Sequence, residues 1–306
     1  MTIIPTVNEL VSRYRKEEMP ERGSTRRGYE VWIKNHILPR WGEARITDLQ
    51  PYPVELWLKS LKQLSPKSQS HIRGVLSILW TLAMRRGDVP TQRNPMELVK
   101  LKKAKKRRRR VLTATEFQSL LEALNGDITL RTLVLVALSF GLRISECLGL
   151  KWKDVDWMNG TLNIERGVVK QIVDDVKTEE SARSMSIAPE LIEVLKDRKQ
   201  ASQFSGPEDW VFASPAKLGR LPMSYSYVWE RLGEAGKAAG IGHLSSHCFR
   251  HTYRSWLDSE GTPVGVQQKM MRHADIRTTM NIYGDALTDD MKEASQKIAR
   301  IALGRA

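Results

Sequence analysis

Two cysteines in 306 residues are too few for a disulfide framework, and Cys147 and Cys248 do not have the mutual spacing of metal ligands. A bridge-stabilised secreted scaffold is therefore excluded, and a reducing compartment is the expectation. No apolar run reaches membrane-spanning length, and no leader pattern is visible. Acidic residues are also scarce: 35 Asp and Glu against 49 Lys and Arg leave a formal charge of +14. That imbalance favours a polyanionic partner, nucleic acid being the commonest, although a merely basic soluble protein has the same composition. Hydrophobic residues at 41% and aromatics at 7% are ordinary globular values, and the length suffices for two domains. The expectation is a soluble cytoplasmic protein associated with the nucleoid.

From Thr6 to about Leu98 the chain has a helical period. Val7, Leu10, Val11 and Tyr14 make one apolar stripe, Tyr29, Trp32, Ile33 and Ile37 a second, and Val54, Leu56, Trp57 and Leu61 a shorter third. The longest helix is predicted from Ser65 as N-cap and Pro66 at the first position to Gly87 as a stop, burying Ile72, Val75, Leu79 and Leu82. Lys67, His71, Arg73, Arg85 and Arg86 are left for its other face or its ends. This predicts an all-α domain over residues 1–101 with basic faces. Arg73 is a candidate DNA contact, although a single surface charge is usually only solvated.

Every residue from Lys102 to Arg110 except Ala104 is basic: Lys102, Lys103, Lys105, Lys106, Arg107, Arg108, Arg109 and Arg110. Like charges at this density repel one another and stay extended, which makes 102–111 an interdomain linker. It reads as a strap across a phosphate backbone, a targeting signal or a plain solvated connection. If all eight charges met phosphates of duplex DNA, the slope of log affinity against log salt would gain roughly −7, at about −0.9 per phosphate.

A second domain is predicted over 112–306. Thr113 and Glu116 have capping-box spacing, and Phe117, Leu120, Leu121 and Leu124 continue a helix. The segment 129–140 is apolar nearly all round, as a central core helix would be. Gly141 breaks it, and the next helix carries Arg143 and Glu146, three apart. An Arg at the mouth of a helix can reach an anion, or it can simply pair with Glu146. From Lys151 to Pro189 the period changes to two, with turn chemistry at 156–160 and strands at 161–164, 168–173 and 183–187. Lys177 lies in the polar connection before the last strand, where it can swing toward a site or remain in solvent. Helices resume at 190–197 and 225–239. A terminal amphipathic helix at about 287–303 carries Met291, Ala294, Ile298 and Ile301, and docks either on its own domain or on a neighbouring copy.

Four of the six histidines fall between His243 and Gly284. His247 and Arg250 are three apart, in a segment whose Phe249, Tyr253, Trp256 and Leu257 recur at helical spacing, so imidazole and guanidinium share a face. Ser245 or Ser246 supplies the N-cap and Gly261 the stop. His273 follows a second apolar run, Val264, Val266, Met270 and Met271, and Tyr283 stands ten residues beyond it. Convergent Arg, His and Tyr side chains are equipment for chemistry on a phosphate.

Five sequence elements occur in register: the Arg in Gly141-Leu-Arg-Ile-Ser-Glu146, the Lys opening Lys177-Thr-Glu-Glu-Ser-Ala-Arg183, His247-Cys-Phe-Arg250, His273 in Met-Arg-His-Ala-Asp, and Tyr283 in Asn-Ile-Tyr-Gly-Asp. Together they resemble the tyrosine recombinases, the phage-integrase family of site-specific DNA recombinases. The resemblance covers about residues 112 to 285 by motif; the N-terminal part matches the family's core-site DNA-binding domain by position and size only. Arg272 precedes His273 where a Gly is usual, and Cys248 and Phe249 stand where Asp and Leu are often found; neither departure replaces a catalytic group.

The resemblance implies a mainly α fold with a small antiparallel β-sheet, arranged as a two-domain C-shaped clamp around DNA. It implies that Tyr283 attacks the scissile phosphodiester to give a 3′-phosphotyrosyl link and a free 5′-hydroxyl, with no ATP, metal or other cofactor. Arg143 and Arg250 would hold the non-bridging oxygens, most strongly as charge builds on phosphorus. Lys177 would protonate the leaving 5′-oxygen, His247 would act as general base or proton shuttle, His273 would donate a hydrogen bond to the phosphate, and Glu146 would orient the His247 side. The implied partners are double-stranded DNA and further copies of the chain, a tetramer on synapsed DNA built from free monomers. An accessory DNA-bending or directionality factor is compatible, and no membrane is involved.

Three rivals are weighed against this. A zinc site could be drawn from His247, Cys248, His251 and His273, but a metalloprotease helix requires Glu where Cys248 stands; His251 is then a packing residue or a partner to the site. A non-catalytic DNA-binding regulator of the same fold would have the same basic strap, without needing the full catalytic set. A type IB topoisomerase would share the cleavage step and act as one protomer on one duplex. Tyr225, Tyr227 and Tyr253 are the other tyrosines near these motifs, and are expected in the core.

Overall fold

The computed structural model describes residues 4–102, 110–175, 183–245 and 247–272. The chain divides into two compact units, Met1–Arg107 and Arg108–Ala306.

The first unit is helical. Helix α1, Val7–Glu17, opens on a capping box in which Thr6 Oγ1 accepts from Glu9 N at 3.2 Å and the Glu9 carboxylate accepts from Thr6 N at 2.8 Å. Its Val7, Leu10, Val11 and Tyr14 are buried, as their spacing requires. Helix α2, Gly23–Trp32, runs through a π turn at Ile33–Ile37 into α3, Leu38–Trp41. Pro39 has no N–H for the carbonyl four residues back, and the wider turn absorbs that loss while Ile33 and Ile37 stay fully buried. In α4, Pro51–Ser60, the buried pair is Val54 and Leu58. Leu56, expected on that stripe, is exposed, because two residues from Val54 is the opposite side of a helix. Helix α5, Pro66–Arg85, begins where Ser65 Oγ accepts from Ser68 N at 3.1 Å and ends before Gly87, whose φ is +73°. All four of its expected core residues are buried, joined by Leu76, Trp80 and Ala83.

The second unit opens on helix α6, Ala114–Ala123, with both bonds of the expected capping box formed: Thr113 N to Glu116 Oε2 at 2.9 Å and Glu116 N to Thr113 Oγ1 at 3.1 Å. Helix α7, Ile128–Ser139, is the central helix that its composition predicted, with Leu130, Leu133, Val134, Val136, Ala137 and Leu138 buried. A short helix α8, Ile144–Leu148, follows the Gly141 break. Strands β1, Val155–Asp156, β2, Thr161–Ile164, and β5, Arg183–Ser186, form an antiparallel sheet in the order β1-β2-β5. The turn between its first two strands is built by Asp156 Oδ1, which accepts from Met158 N and Asn159 N, each at 3.0 Å.

The single strand expected at 168–173 is instead a hairpin, and a second sheet. Strand β3, Arg166–Val169, pairs with β4, Ile172–Asp175, and the chain reverses at Lys170 and Gln171, whose φ values are +53° and +61°. Two successive left-handed residues are the geometry of a type I′ turn. Lys-Gln has none of the Asn or Gly that normally announces it, so the alternation reads as uninterrupted.

The remaining α-helices among the described residues are α9, Pro189–Gln200, α10, Tyr225–Ala238, α11, His247–Ser259, and α12, Val264–Met271. Helix α11 packs on α7, and Phe117 of α6 meets Phe249 and Trp256 edge-on, with centroids 6.5 and 6.0 Å away. In α12 the expected apolar face is corrected: Val266 is exposed, while Met271 and Gln267 are buried. Gln267 can be buried because its Nε2 donates to Asp258 Oδ1 at 2.7 Å and to the Thr262 carbonyl at 2.8 Å. Both cysteines are free and buried. Among the described residues no helix is long and apolar enough to cross a membrane. The terminal helix expected at 287–303 lies outside the described residues.

Candidate active site

The site is assembled where α7 ends, α8 begins, and α11 and α12 return to meet them. Gly141 turns the chain with a φ of +56°, and Arg143 becomes the N-cap of α8. Glu146, three residues on, receives the Arg143 backbone N–H on Oε2 at 2.9 Å and the Arg143 Nη1 on Oε1 at 2.6 Å. The same Oε2 accepts from Arg272 Nη2 at 2.9 Å. Arg250, three residues into α11 from His247, donates Nη1 to the Gly141 carbonyl at 2.5 Å and Nη2 to the Met271 carbonyl. One buried carboxylate thus stands among three guanidiniums, a local excess of two positive charges.

The electrostatics follow from that count. Burial works to raise the Glu146 carboxyl, but Arg272 and Arg143 overcome it and hold the group below the usual carboxylate range. Burial, and then the like charge of Arg143, push the Arg250 guanidinium down to about 9. Arg250 is only 5% exposed and has backbone carbonyls, not a carboxylate, as its hydrogen-bond partners. A buried cation without a full counter-charge is a candidate binding group for an anion. The Arg143 side chain, 35% exposed, is the part of the cluster that solvent reaches most.

Residues 110–289, more than half of the chain, match the phage integrase family. The chain belongs to that family. It is similar to the XerC-like tyrosine recombinase of Caldanaerobacter subterraneus subsp. tengcongensis at 30% identity over 195 residues. That alignment takes in 55% of this chain and 48% of the relative, so the chain spans about half the relative's length. The ICEBs1 integrase of Bacillus subtilis is 23% identical over 284 residues, 87% of this chain and 75% of that protein. Among solved structures, the Tn1549 transposon integrase in complex with a circular intermediate DNA superposes with a TM-score of 0.82 at 20% identity, covering 96% of this chain and 99% of that one, which shows a shared fold.

Of the residues expected in the recombinase site, Arg143, Glu146 and Arg250 are brought together. His247 opens α11 one turn ahead of Arg250, exposed, with its ring 6.4 Å from that of His251. Both oxygens of Glu146 are engaged by Arg143 and Arg272, an arrangement the expected role toward His247 did not include. Lys177, His273 and Tyr283 lie outside the described residues, as do Lys103, Lys105, Lys106, Arg107, Arg108 and Arg109. Lys102 is exposed at the end of the first unit. Arg110 pairs with Glu116 at 2.6 Å, and Arg73 gives Nη1 to the Val99 carbonyl at 3.3 Å, so both spend donors within their own units.

The other expectations divide. Tyr253 is buried as foreseen, its phenol pushed up by that burial. Tyr225 and Tyr227 are exposed, 44% and 45%, because the buried stripe of α10 begins only at Val228. Cys248 is buried with Sγ directed at the Arg110 carbonyl at 3.3 Å, and His273, the fourth residue of the zinc alternative, lies outside the described residues. Sequence reasoning passed over Arg272. The available signal was its position at a helix C-terminus, where a left-handed residue is commonly needed and Gly is the cheapest solution.

Gly141 is sensitive on two counts. A Cβ there would lie 2.3 Å from Tyr253 Cδ1, and its φ of +56° disfavours any side chain. Gly141→Ala is expected to lower the unfolding free energy by about 2–4 kcal/mol, from left-handed strain plus overpacking. A denaturant melt checks this, and a change under about 0.5 kcal/mol, the size of an ordinary surface effect, would contradict the packing described.

Proposed function

We propose that this tyrosine recombinase cuts and rejoins duplex DNA at specific sites through a 3′-phosphotyrosyl intermediate, integrating or excising a mobile element. The observation carrying the proposal is the excess positive charge of the Arg143, Arg250 and Arg272 cluster around Glu146. A scissile phosphodiester brings one negative charge, and its pentacoordinate transition state concentrates more on the non-bridging oxygens. Fixed guanidiniums gain most against that state, because they need not reorganise when the charge appears. The names of the relatives, an ICEBs1 integrase and a transposon integrase on circular intermediate DNA, support a mobile-element role.

In the reaction, Tyr283 forms the new P–O bond as its phenol proton passes to His247, acting as base or shuttle. The P–O5′ bond breaks, and Lys177 supplies the proton that the departing 5′-oxygen takes up. His273 donates a hydrogen bond to the phosphate. Attack by a 5′-hydroxyl of the partner strand reverses these steps and releases Tyr283. Two duplexes present four strands, so four copies, each cutting one strand, constitute the working assembly. The cell compartment follows from the partner: a cytoplasmic protein resident on the nucleoid.

The experiment uses the DNA flanking the gene, placed as two sites on a supercoiled plasmid, with chelator present and ATP omitted. Exchange between the sites is the expected result. Relaxation without exchange would indicate a topoisomerase, and binding without either a regulator; each would overturn the proposal.

The basic strap adds a separate prediction. With Arg110 engaged by Glu116, seven charges from Lys102 to Arg109 remain for phosphate, and replacing them with Ser should make the salt slope of DNA affinity shallower by roughly 6. Titrations at several salt concentrations measure it. A slope within about one unit of the wild type would assign the segment to a solvated linker or a targeting signal.

A further inference from the structure

Arg272 has a side chain only 1% exposed, so it cannot itself touch a substrate, and yet it reaches three elements from the end of a fourth. From the C-cap of α12 its Nη2 donates to Glu146 on α8 at 2.9 Å, and its Nη1 donates to the Phe140 carbonyl at the end of α7 at 3.3 Å and lies 2.9 Å from Met185 Sδ on β5. Its backbone sits at φ +52° and ψ +48°, a conformation that suits Gly and disfavours an arginine. A residue held against its backbone preference, with a long side chain immobilised, is fixed by the contacts at its far end.

The chemistry of Glu146 shows what those contacts do. Its carboxylate is buried and already bonded to Arg143 through both the backbone N–H and Nη1. If Arg143 were its sole counter-ion, the two would cancel, and the guanidinium facing solvent would offer little charge to a phosphate. With Arg272 on the other side, the carboxylate is divided between two cations, and Arg143 keeps its orientation without losing its field. The junction itself is held twice, since Arg250 takes the Met271 carbonyl while the next residue takes Glu146 and Phe140.

We infer that Arg272 is a positioning residue of the recombinase site: it shares the Glu146 carboxylate so that Arg143 stays charged and oriented toward the scissile phosphate. This rests on the DNA-cleavage reading proposed above. It adds a role at a position where the family resemblance leads one to expect a Gly with no side chain to contribute.

The test follows covalent adduct formation on a suicide substrate, DNA nicked beside the cleavage site. Arg272→Gly suits the left-handed backbone, so the chain should fold. It is expected to bind this DNA as the wild type does and to form adduct roughly tenfold to a hundredfold more slowly, the cost of a slightly misplaced group. The discriminating measurement is the double variant Glu146→Gln with Arg272→Gly. Removing the carboxylate as well should recover most of the lost rate, because no charge then remains to neutralise Arg143. A mere structural brace would instead give additive losses, and that result would overturn the inference. So would an Arg272→Gly variant cleaving at the wild-type rate. Should that variant melt below the assay temperature, Arg272→Lys and Arg272→Met serve as a pair: Lys keeps the charge beside Glu146 without the guanidinium's further contacts, so it is expected to cleave roughly tenfold faster than Met, and equal rates in the two folded variants would overturn the charge-sharing role. A wild-type protein that forms no adduct removes the parent reading and this inference with it; a wild-type protein that does form adduct confines any failure to Arg272.

Discussion

Arg143→Ala and Arg250→Ala are expected to bind DNA nearly as well as the wild-type protein and to cleave it about a hundredfold to a thousandfold more slowly. On the proposed reading the basis is differential: a phosphate in the ground state would be contacted by many basic groups, whereas the charge that develops on its non-bridging oxygens would be met by these guanidiniums in fixed positions. The two variants differ in what else they lose. Arg143 is partly exposed and its alanine variant frees Glu146 to Arg272, so little destabilisation accompanies the loss of rate. Arg250 is buried and satisfies the Gly141 and Met271 carbonyls, so its alanine variant should also lose about 1–3 kcal/mol of stability. Filter binding and single-turnover cleavage, measured side by side, separate the effects. Equal losses of binding and cleavage would make both residues structural.

Much of this site was legible as chemistry before it was visible as geometry. The spacing of Arg143 from Glu146 and of His247 from Arg250 put each pair on one helical face, and the first pair is bonded in the structure. What spacing could not carry was the third partner. Arg272 is far from both pairs in sequence, it ends a helix, and residue identity there says nothing about a left-handed backbone that folds the side chain inward. It was read as a harmless substitution for Gly, whereas it is bonded to the central carboxylate.

The fold divides along the same physical line. Helices whose apolar residues recur three and four apart were located well, as α1 and α5 show, because burial of one face dictates that period. Local chemistry that is written in side chains was also legible: the capping box of Thr113 and Glu116, the cap at Ser65, the turn at Asp156. The failures are places where the backbone acts without a marker residue. Lys170 and Gln171 turn the hairpin with positive φ and no glycine, and a π turn at Ile33–Ile37 precedes Pro39 without ending the helix. Leu56 and Val266 were assigned to faces on hydrophobicity alone, and each lies on the side its neighbours leave to solvent.

The central claim is that a phenol, Tyr283, replaces one ester bond of a phosphate held by these guanidiniums. Phenylalanine at that position removes one oxygen and nothing else, so Tyr283→Phe should fold, bind DNA and leave the arginine cluster intact while forming no covalent adduct at all. Tyr253 provides the internal control: its ring is packed against Gly141 and its phenol is pushed up by burial, so Tyr253→Phe should retain the adduct. The decisive measurement is therefore denaturing gel electrophoresis of labelled, nicked DNA after incubation with wild-type protein, Tyr283→Phe and Tyr253→Phe. A protein-linked band in the first and third lanes and none in the second is the expected result. A band that persists in Tyr283→Phe, or its absence from all three, would contradict the account.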